Sequence, residues 1–95
     1  MNKMNVVQTN HFKKVAKKLY PNQKADLDKA IKYIMKDPDI GQSKTGNLSD
    51  VLVYKFKMVK QLTLLAYTYE NQTITLTLLA LGAHENFYRN LKKSI

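Results

Sequence analysis

The hydrophobic pattern of the chain changes its period once, from a helical repeat before residue 37 to an alternating repeat after residue 50. Two helical stripes come first, with the apolar members Phe12, Val15, Ala16 and Leu19, then Leu27, Ala30, Ile31 and Ile34. The spacing i, i+3, i+4 and i+7 is typical of an amphipathic helix. From residue 50 to 59 apolar side chains alternate, as in a half-buried strand. The change predicts an α+β fold.

Local signals place the ends of the two helices. Thr9 or Asn10 can cap the first helix, and the segment 20–22, which contains a proline, separates it from the second. We expect Asp26 and Asp28 near the positive end of the second helix. The residue before a proline is pushed out of the α region, so the helix should stop at residues 37–38. The short connection predicts an antiparallel helical hairpin.

Strands follow a predicted loop over residues 38–50. In the first strand, Leu52, Tyr54, Phe56 and Met58 face one side, and Val51, Val53, Lys55 and Lys57 face the other. Segments 62–69 and 73–81 predict two further strands joined by a turn at residues 70–72, and Gly82 should end the sheet. Val6 to Gln8 can add a short strand before the first helix.

The last segment, residues 83–95, returns to helical spacing. Its stripe consists of His84, Phe87, Tyr88, Leu91 and Ile95. We therefore expect a single domain over residues 1–95, in which an N-terminal helical hairpin packs on an antiparallel sheet of three to four strands and a helix follows at the C-terminus.

Charge and composition narrow the possible functions. The 95 residues include sixteen basic and seven acidic side chains, a net charge of +9, and no cysteine. Cysteine-based metal sites and nucleophiles are excluded, and a reducing, cytoplasmic location is expected. No apolar run approaches the roughly 20 residues of a membrane span, so we expect no membrane partner. The excess of positive charge favours a polyanionic partner.

Familiar catalytic motifs are missing from the sequence. The two histidines, His11 and His84, are far apart and have no metal-ligand spacing, and the three glycines form no phosphate-binding loop. No serine is placed near a histidine in a way that suggests a triad. We therefore expect neither a metal nor a cofactor.

Four basic and aromatic residues can support chemistry on RNA. Lys55 and Lys57 project from one strand face, and His84 and Tyr88 lie one helical turn apart. Lysines can neutralise phosphates, tyrosine can stack on an unpaired base, and histidine can exchange a proton near neutral pH. Each residue also fits a structural role, since His84 and Tyr88 can pack against the sheet and exposed strand lysines are usually solvated.

A second basic group lies on the first helix. Its members are Lys13, Lys14, Lys17 and Lys18, and residues 1–36 together carry +7 of the net charge. Such a cluster is usually the solvated side of a helix, but it can also contact a polyanion.

Three segments together resemble the RelE/ParE superfamily of type II toxins. The resemblance covers nearly the whole chain and is carried by residues 54–57 (Tyr-Lys-Phe-Lys), residues 64–67 (Leu-Leu-Ala-Tyr) and residues 81–92 with His-Glu-Asn-Phe-Tyr-Arg. RelE-like members cut mRNA in the ribosomal A site, and ParE-like members inhibit DNA gyrase. Both kinds are neutralised by a cognate antitoxin.

The resemblance implies roles for individual residues. Lys55 and Lys57 match the lysines that contact or activate the scissile nucleotide, Tyr88 matches a base-stacking aromatic residue, and His84 matches a proton-exchanging histidine. RelE-like nucleases usually carry an arginine near the start of the third strand, where this chain has Lys60. Arg89 lies about 100° around the helix from Tyr88. Lys60 and Arg89 are therefore weaker candidates for contacting RNA.

The sequence thus predicts the toxin of a type II toxin–antitoxin system, acting as a ribosome-dependent mRNA endonuclease without a metal. Its partners would be the ribosome, mRNA and an acidic antitoxin. Two alternatives stay open: a ParE-like inhibitor of DNA gyrase, and a catalytically silent domain that binds an antitoxin.

Overall fold

The structure, a computed structural model, describes residues 4–43, 51–83 and 87. Its elements are β1 (Asn5–Gln8), α1 (Asn10–Lys17), α2 (Pro21–Lys36), a 3₁₀ turn (Pro38–Ile40), β2 (Gln42–Ser43), β3 (Leu52–Met58), β4 (Gln61–Glu70) and β5 (Thr75–Ala83). No helix in these ranges combines the length and the apolar composition that a bilayer crossing requires. The predicted C-terminal helix falls largely outside the described residues.

The strands of the described ranges form one mixed sheet in the order β1-β5-β4-β3-β2. β1 runs parallel to β5, whereas the other neighbouring strands are antiparallel. The short strand before the first helix is confirmed, but the prediction of an antiparallel sheet with three to four strands is wrong. The sequence of β1 could not show its direction, because all four of its residues are exposed and the direction depends on the partner strand.

α1 begins at the predicted cap, whereas α2 begins within the segment 20–22 that was expected to separate the helices. The Thr9 hydroxyl accepts a hydrogen bond from the Phe12 amide (3.1 Å) and donates one to the Leu79 carbonyl (3.0 Å), so the cap of α1 is also attached to β5. α2 begins at Pro21, and the Gln23 side chain accepts a hydrogen bond from the Tyr20 amide at 2.8 Å. These contacts satisfy amides that have no partner within the helix.

Asp26 does not have the predicted role at the positive end of α2. Because α2 begins at Pro21, neither Asp26 nor Asp28 lies in its first turn. The Asp26 carboxylate instead accepts a hydrogen bond from the Val59 amide at 2.8 Å. Asp26 thereby attaches the turn between β3 and β4 to the helix above it.

The segment after α2 is more ordered than the predicted loop over residues 38–50, since it contains the 3₁₀ turn and β2. The buried Tyr67 hydroxyl donates to the Pro38 carbonyl (2.6 Å) and accepts from the Gly41 amide (2.9 Å). A Cβ atom on Gly41 would lie only 2.7 Å from the Tyr67 oxygen, which explains the glycine. Tyr67 therefore fixes this segment to the edge of the sheet.

The main core lies between the two helices and one face of the sheet, which we call the helix face. Its buried members are Phe12, Leu27, Ile34, Met58, Leu65, Tyr67, Leu76, Leu78 and Leu81. The predicted stripes of both helices contribute to this core or pack against it, as do Leu52, Tyr54 and Phe56. The predicted orientation of β3 is therefore confirmed.

A bulge in β5 explains the spacing of its core residues. Ala66 pairs with Ala80 and Tyr67 pairs with Leu78, so Leu79 is skipped in the register. An extra residue reverses the alternation of side chains beyond it. Leu76, Leu78 and Leu81 consequently all join the core on the helix face, although a strict period of two would send Leu81 to the other side.

The opposite face of the sheet, which we call the lysine face, has a second core, which is the smaller of the two among the described residues. Its buried residues are Val51, Val53, Leu64, Ala66, Ala80 and Phe87. The ring of Phe87 lies beside Gly82, since a Cβ atom added there would be 3.8 Å from a ring carbon, an ordinary van der Waals contact. The chain after β5 therefore returns to this face at residue 87.

Candidate functional site

Lys55 and Lys57 lie on β3, and the structure leaves both side chains exposed. Alternation along the strand places them on the same face, about 7 Å apart along the backbone. Their antiparallel neighbours on β4 are Leu64 and Leu62, respectively. The predicted exposure of the two lysines is therefore confirmed, and they form a pair of positive charges on the lysine face.

The floor beside these lysines is apolar. Lys55 pairs with Leu64, and Leu64 pairs with Gly82, so the three residues form one row across the sheet. Leu64 is fully buried, whereas Leu62, next to Lys57, is 44% exposed. Charges beside a low-dielectric surface interact more strongly with a bound anion than charges surrounded by water. This arrangement suits an anionic ligand.

The turn that joins β3 to β4 has a strained backbone. Val59 and Lys60 have φ angles of 49° and 71°, and they connect the paired residues Met58 and Gln61. Two positive φ angles are typical of a type I′ turn, a conformation that a β-branched residue such as Val59 rarely adopts. Lys60 is exposed in this turn, two residues after Met58, which ends β3. The hydrogen bond from Val59 to Asp26 stabilises this turn.

Three predicted site residues, His84, Tyr88 and Arg89, lie outside the described residues. Phe87, which is adjacent to Tyr88 in sequence, is buried in the core of the lysine face. It contacts the sheet in the row that contains Lys55, Leu64 and Gly82. The described part of the site is thus the lysine pair, its apolar floor and the adjoining Lys60 turn.

The structure does not bring the basic group on α1 together with the lysine pair. Lys13, Lys14, Lys17 and Lys18 are all exposed, but α1 packs on the helix face of the sheet. Lys13 and Lys17 line a groove of about 410 Å³ between α1 and α2. These four lysines therefore form a second basic surface, separated from Lys55 and Lys57 by the thickness of the sheet.

Sequence reasoning missed an aromatic cleft between α2 and β3. Tyr33 stands on the helix side of this cleft, Tyr54 and Phe56 on the strand side, with Lys29 and Lys57 beside them. The sequence does contain a sign of the helical wall. Lys29 lies four residues before Tyr33 and Lys36 lies three residues after it, a spacing that places all three on one helix face. Only the fold shows that β3 places two more rings beside that helical face.

Among the described titratable side chains, Tyr67 is the one that is buried. Burial, together with the negative charges of Asp39 and Asp37, raises the pKa of the Tyr67 hydroxyl above its usual value, although the Gly41 amide opposes the shift. Tyr67 lies in the core of the helix face, away from Lys55. Within the described ranges, no three histidine or acidic side chains are grouped as a metal site.

Comparison with protein families gives a match over residues 6–92. The matching family is described as the ParE-like toxin of type II bacterial toxin–antitoxin systems. The match includes every strand and helix except the first residue of β1. No curated protein sequence matches the chain.

Solved structures with a similar fold include toxins from two bacteria. An E. coli RelE variant with two arginines changed to alanine, in the free state, superposes with a TM-score of 0.74 at 15% identity, over 96% of this chain and 92% of RelE. The E. coli RelBE toxin–antitoxin complex gives 0.70 at 19% identity, over 87% and 99% of the two chains. RelBE2 from Mycobacterium tuberculosis gives 0.72 at 17% identity, over 85% and 98%. At these identities the similarity establishes the fold.

Proposed function

The chain belongs to the ParE-like toxin family of type II bacterial toxin–antitoxin systems, and we propose that it arrests growth as an endonuclease that cleaves mRNA on the ribosome. The observation that carries this proposal is the exposed pair Lys55 and Lys57 on the apolar lysine face. Two fixed cations on a strand are suited to binding a phosphodiester and the charge that develops on it.

The reaction proposed is attack of a ribose 2′-oxygen on the adjacent phosphorus. A bond from the 2′-oxygen to phosphorus forms as the bond from phosphorus to the 5′-oxygen breaks, leaving a cyclic phosphate and a free 5′-hydroxyl. One proton leaves the 2′-hydroxyl and one is added to the 5′-oxygen. Lys55 and Lys57 would stabilise the negative charge on the pentacovalent phosphorus.

The remaining roles are assigned through the family resemblance. His84 would exchange a proton, and Tyr88 would stack on a base beside the scissile bond. Support comes from Phe87, which lies between them in sequence and contacts the same row of the sheet as Lys55. Lys60, Arg89 and the basic group on α1 would contact RNA of the message or the ribosome.

A cognate antitoxin is the proposed protein partner. RelBE from E. coli and RelBE2 from Mycobacterium tuberculosis are toxin–antitoxin complexes. The +9 charge of this chain favours an acidic segment in its own partner. We propose that this segment covers the lysine face, where it would shield Lys55 and Lys57. Action on ribosomes would place the toxin in the cytoplasm.

Cleavage can be tested by mapping the 5′ ends of mRNA after the toxin is induced. New ends within ribosomal A-site codons are expected from the unchanged protein, and Lys55→Ala or Lys57→Ala should reduce them by about 10²-fold or more. Gln72→Glu, which lowers the net charge by the same one unit at an exposed residue between β4 and β5, is the matched control. Growth arrest without new A-site ends would overturn the proposal.

Inhibition of DNA gyrase is the second candidate, favoured by the ParE-like description of the family and by the absence of an arginine at residues 60–63. Here the toxin would act by binding, with the basic surface of α1 as part of the contact. A supercoiling assay with purified gyrase separates the two candidates. Inhibition would support gyrase as the target, and unchanged supercoiling would remove this candidate. A catalytically silent domain would show neither effect.

A further inference from the structure

Apart from Lys57, the residues that line the cleft between α2 and β3 have no role in the proposed cleavage. Its volume is about 150 Å³, and its walls include Lys29, Ala30, Tyr33, Tyr54, Phe56 and Lys57. A second depression of about 280 Å³, lined by Lys29, Lys32, Tyr33 and Lys36, adjoins it. Because Lys29 and Tyr33 line both, the two form one continuous surface along α2, which we call the α2 cleft.

Aromatic rings line the α2 cleft from two elements. Tyr33 is 55% exposed, and Tyr54 and Phe56 are partly exposed on the strand opposite. The rings of Tyr54 and Phe56 are nearly parallel, with an interplanar angle of 12° and a centroid separation of 6.0 Å. An exposed ring such as Tyr33 can stack with a nucleobase, and such contacts tolerate any base because every base has a π face.

The cations of the α2 cleft outnumber the negative charges beside them. Lys29, Lys32, Lys36 and Lys57 are all exposed. Asp26 also lines the cleft, but its carboxylate is engaged by the Val59 amide. The backbone at the C-terminal end of α2 contributes about half a negative charge, which the lysines exceed several times over.

We propose that the α2 cleft binds a single-stranded RNA segment, with an unstacked base against Tyr33 and phosphates near Lys29 and Lys36. Lys57 belongs both to this cleft and to the lysine pair, so one strand of RNA can continue from the proposed reaction site around the edge of β3 into the cleft. This inference rests on the proposed action on RNA. Binding in the cleft can nevertheless be measured whether or not the protein cleaves RNA.

RNA fits this surface better than an acidic peptide does. An acidic peptide would be held by the lysines alone, and its affinity would depend little on an aromatic ring. Single-stranded RNA uses both charge and stacking. Replacing the ring while keeping the charge therefore distinguishes the two ligands.

The first test measures binding of a fluorescein-labelled oligouridylate by fluorescence anisotropy. Tyr33→Leu keeps an apolar, uncharged side chain but removes the ring, and it should lower the affinity about tenfold while leaving the salt dependence unchanged. Tyr20→Leu, at a tyrosine that is 73% exposed outside the cleft, should have less than a twofold effect. An unchanged affinity for Tyr33→Leu would overturn the proposal.

The second test uses the salt dependence of the same binding. Loss of one phosphate contact on single-stranded RNA reduces the slope of log affinity against log salt by about 0.7. Lys29→Ala should show this reduction, and Gln72→Glu, which changes the net charge by the same one unit at an exposed residue between β4 and β5, should not. Equal changes in the two variants would mean a diffuse charge effect and would overturn the proposal.

Competition identifies the class of ligand. Polyglutamate should displace the oligouridylate poorly at equal charge concentration, and strong displacement that is insensitive to Tyr33→Leu would overturn the proposal in favour of an acidic partner. None of these measurements depends on catalysis. A toxin that binds through Tyr33 but makes no A-site ends would retain this inference while losing the proposed function.

Discussion

The two faces of the sheet differ in how many of their described apolar side chains are buried. On the helix face, α1 and α2 bury a core that includes the large side chains Phe12, Ile34 and Tyr67. On the lysine face, the buried group among the described residues is smaller and consists mainly of valine, alanine and leucine, with one aromatic ring at Phe87. The exposed Lys55 and Lys57 lie beside this second group. The same strands therefore serve stability on one side and presentation of charge on the other.

This difference has an energetic consequence. Burial of apolar area contributes roughly 25 cal/mol per Å², so the larger core supplies more of the free energy of folding. The lysines contribute little to it, because exposed charged side chains seldom change stability by more than about 0.5 kcal/mol. The lysine face can therefore vary its charged residues with little cost to the fold.

The largest effect is expected in the core of the helix face. Leu78→Ala should lower the free energy of unfolding by about 2–5 kcal/mol, since the fully buried side chain leaves a cavity. Val53→Ala, in the core of the lysine face, should cost less because the truncation removes fewer carbon atoms and leaves a smaller cavity. Urea denaturation of both variants measures this difference. An equal loss at Val53 would show that the lysine face is as important for stability.

An intermediate effect is expected at the Tyr67 hydroxyl, which attaches the segment after α2 to the sheet. Tyr67→Phe should cost about 1–3 kcal/mol, because the buried Pro38 carbonyl and Gly41 amide each lose a partner. Circular dichroism during thermal unfolding would show the loss. Tyr20→Phe, at an exposed ring, is the control, and a similar loss there would contradict the assignment to the buried hydrogen bonds.

The same variant has a signature in pH. The pKa of Tyr67 is raised in the folded protein, so the unfolded chain, whose tyrosine ionises near pH 10, releases its proton first. The contribution of Tyr67 is fully present below about pH 10 and is lost as the pH rises through the raised folded value. The stability difference between the unchanged protein and Tyr67→Phe should therefore shrink above pH 10. A constant difference across that range would contradict the prediction.

A smaller effect of opposite sign is expected in the turn between β3 and β4. Val59→Gly should raise the free energy of unfolding by about 0.5–1 kcal/mol, because glycine accepts the φ of 49° that strains a β-branched residue. Val7 is similarly exposed, at 46% against 42% for Val59, but it lies within β1. Val7→Gly should therefore destabilise. Loss of stability in both variants would mean that the turn is not strained.

The smallest effect on stability is expected at the lysine pair itself. Lys55→Ala and Lys57→Ala should each change the free energy of unfolding by less than about 0.5 kcal/mol, although both are expected to suppress mRNA cleavage. Urea denaturation and A-site mapping on the same preparations compare the two properties. A large loss of stability would mean that the lysines support the fold, and the contrast between the faces would then fail.

Much of the helix face could be predicted from the sequence. The stripes that include Phe12 and Leu27, the cap at Thr9 and the orientation of β3 were correct because each depends on interactions within a few residues. The 3₁₀ turn and β2 were missed, because Tyr67 holds this segment from a distance of more than 25 residues along the chain. A polar, aperiodic stretch carries no sign of such a contact.

The sheet topology and the candidate site were harder to predict from the sequence. The parallel direction of β1 depends on β5, and the bulge at Leu79 appears only when β4 and β5 are paired. The lysine pair followed from simple alternation along β3. The cleft beside Tyr33 did not, because its second wall comes from a different element. His84, Tyr88 and Arg89 remain predictions from the family resemblance.

The parallel pairing of β1 with β5 affects the order in which the protein can form during translation. β5 lies between β1 and β4 in the sheet, and the hydrogen bond from Thr9 to Leu79 spans 70 residues. Contacts of such long range form slowly and only after both segments have left the ribosome. The lysine face consequently has no complete sheet behind it until β5 has been made.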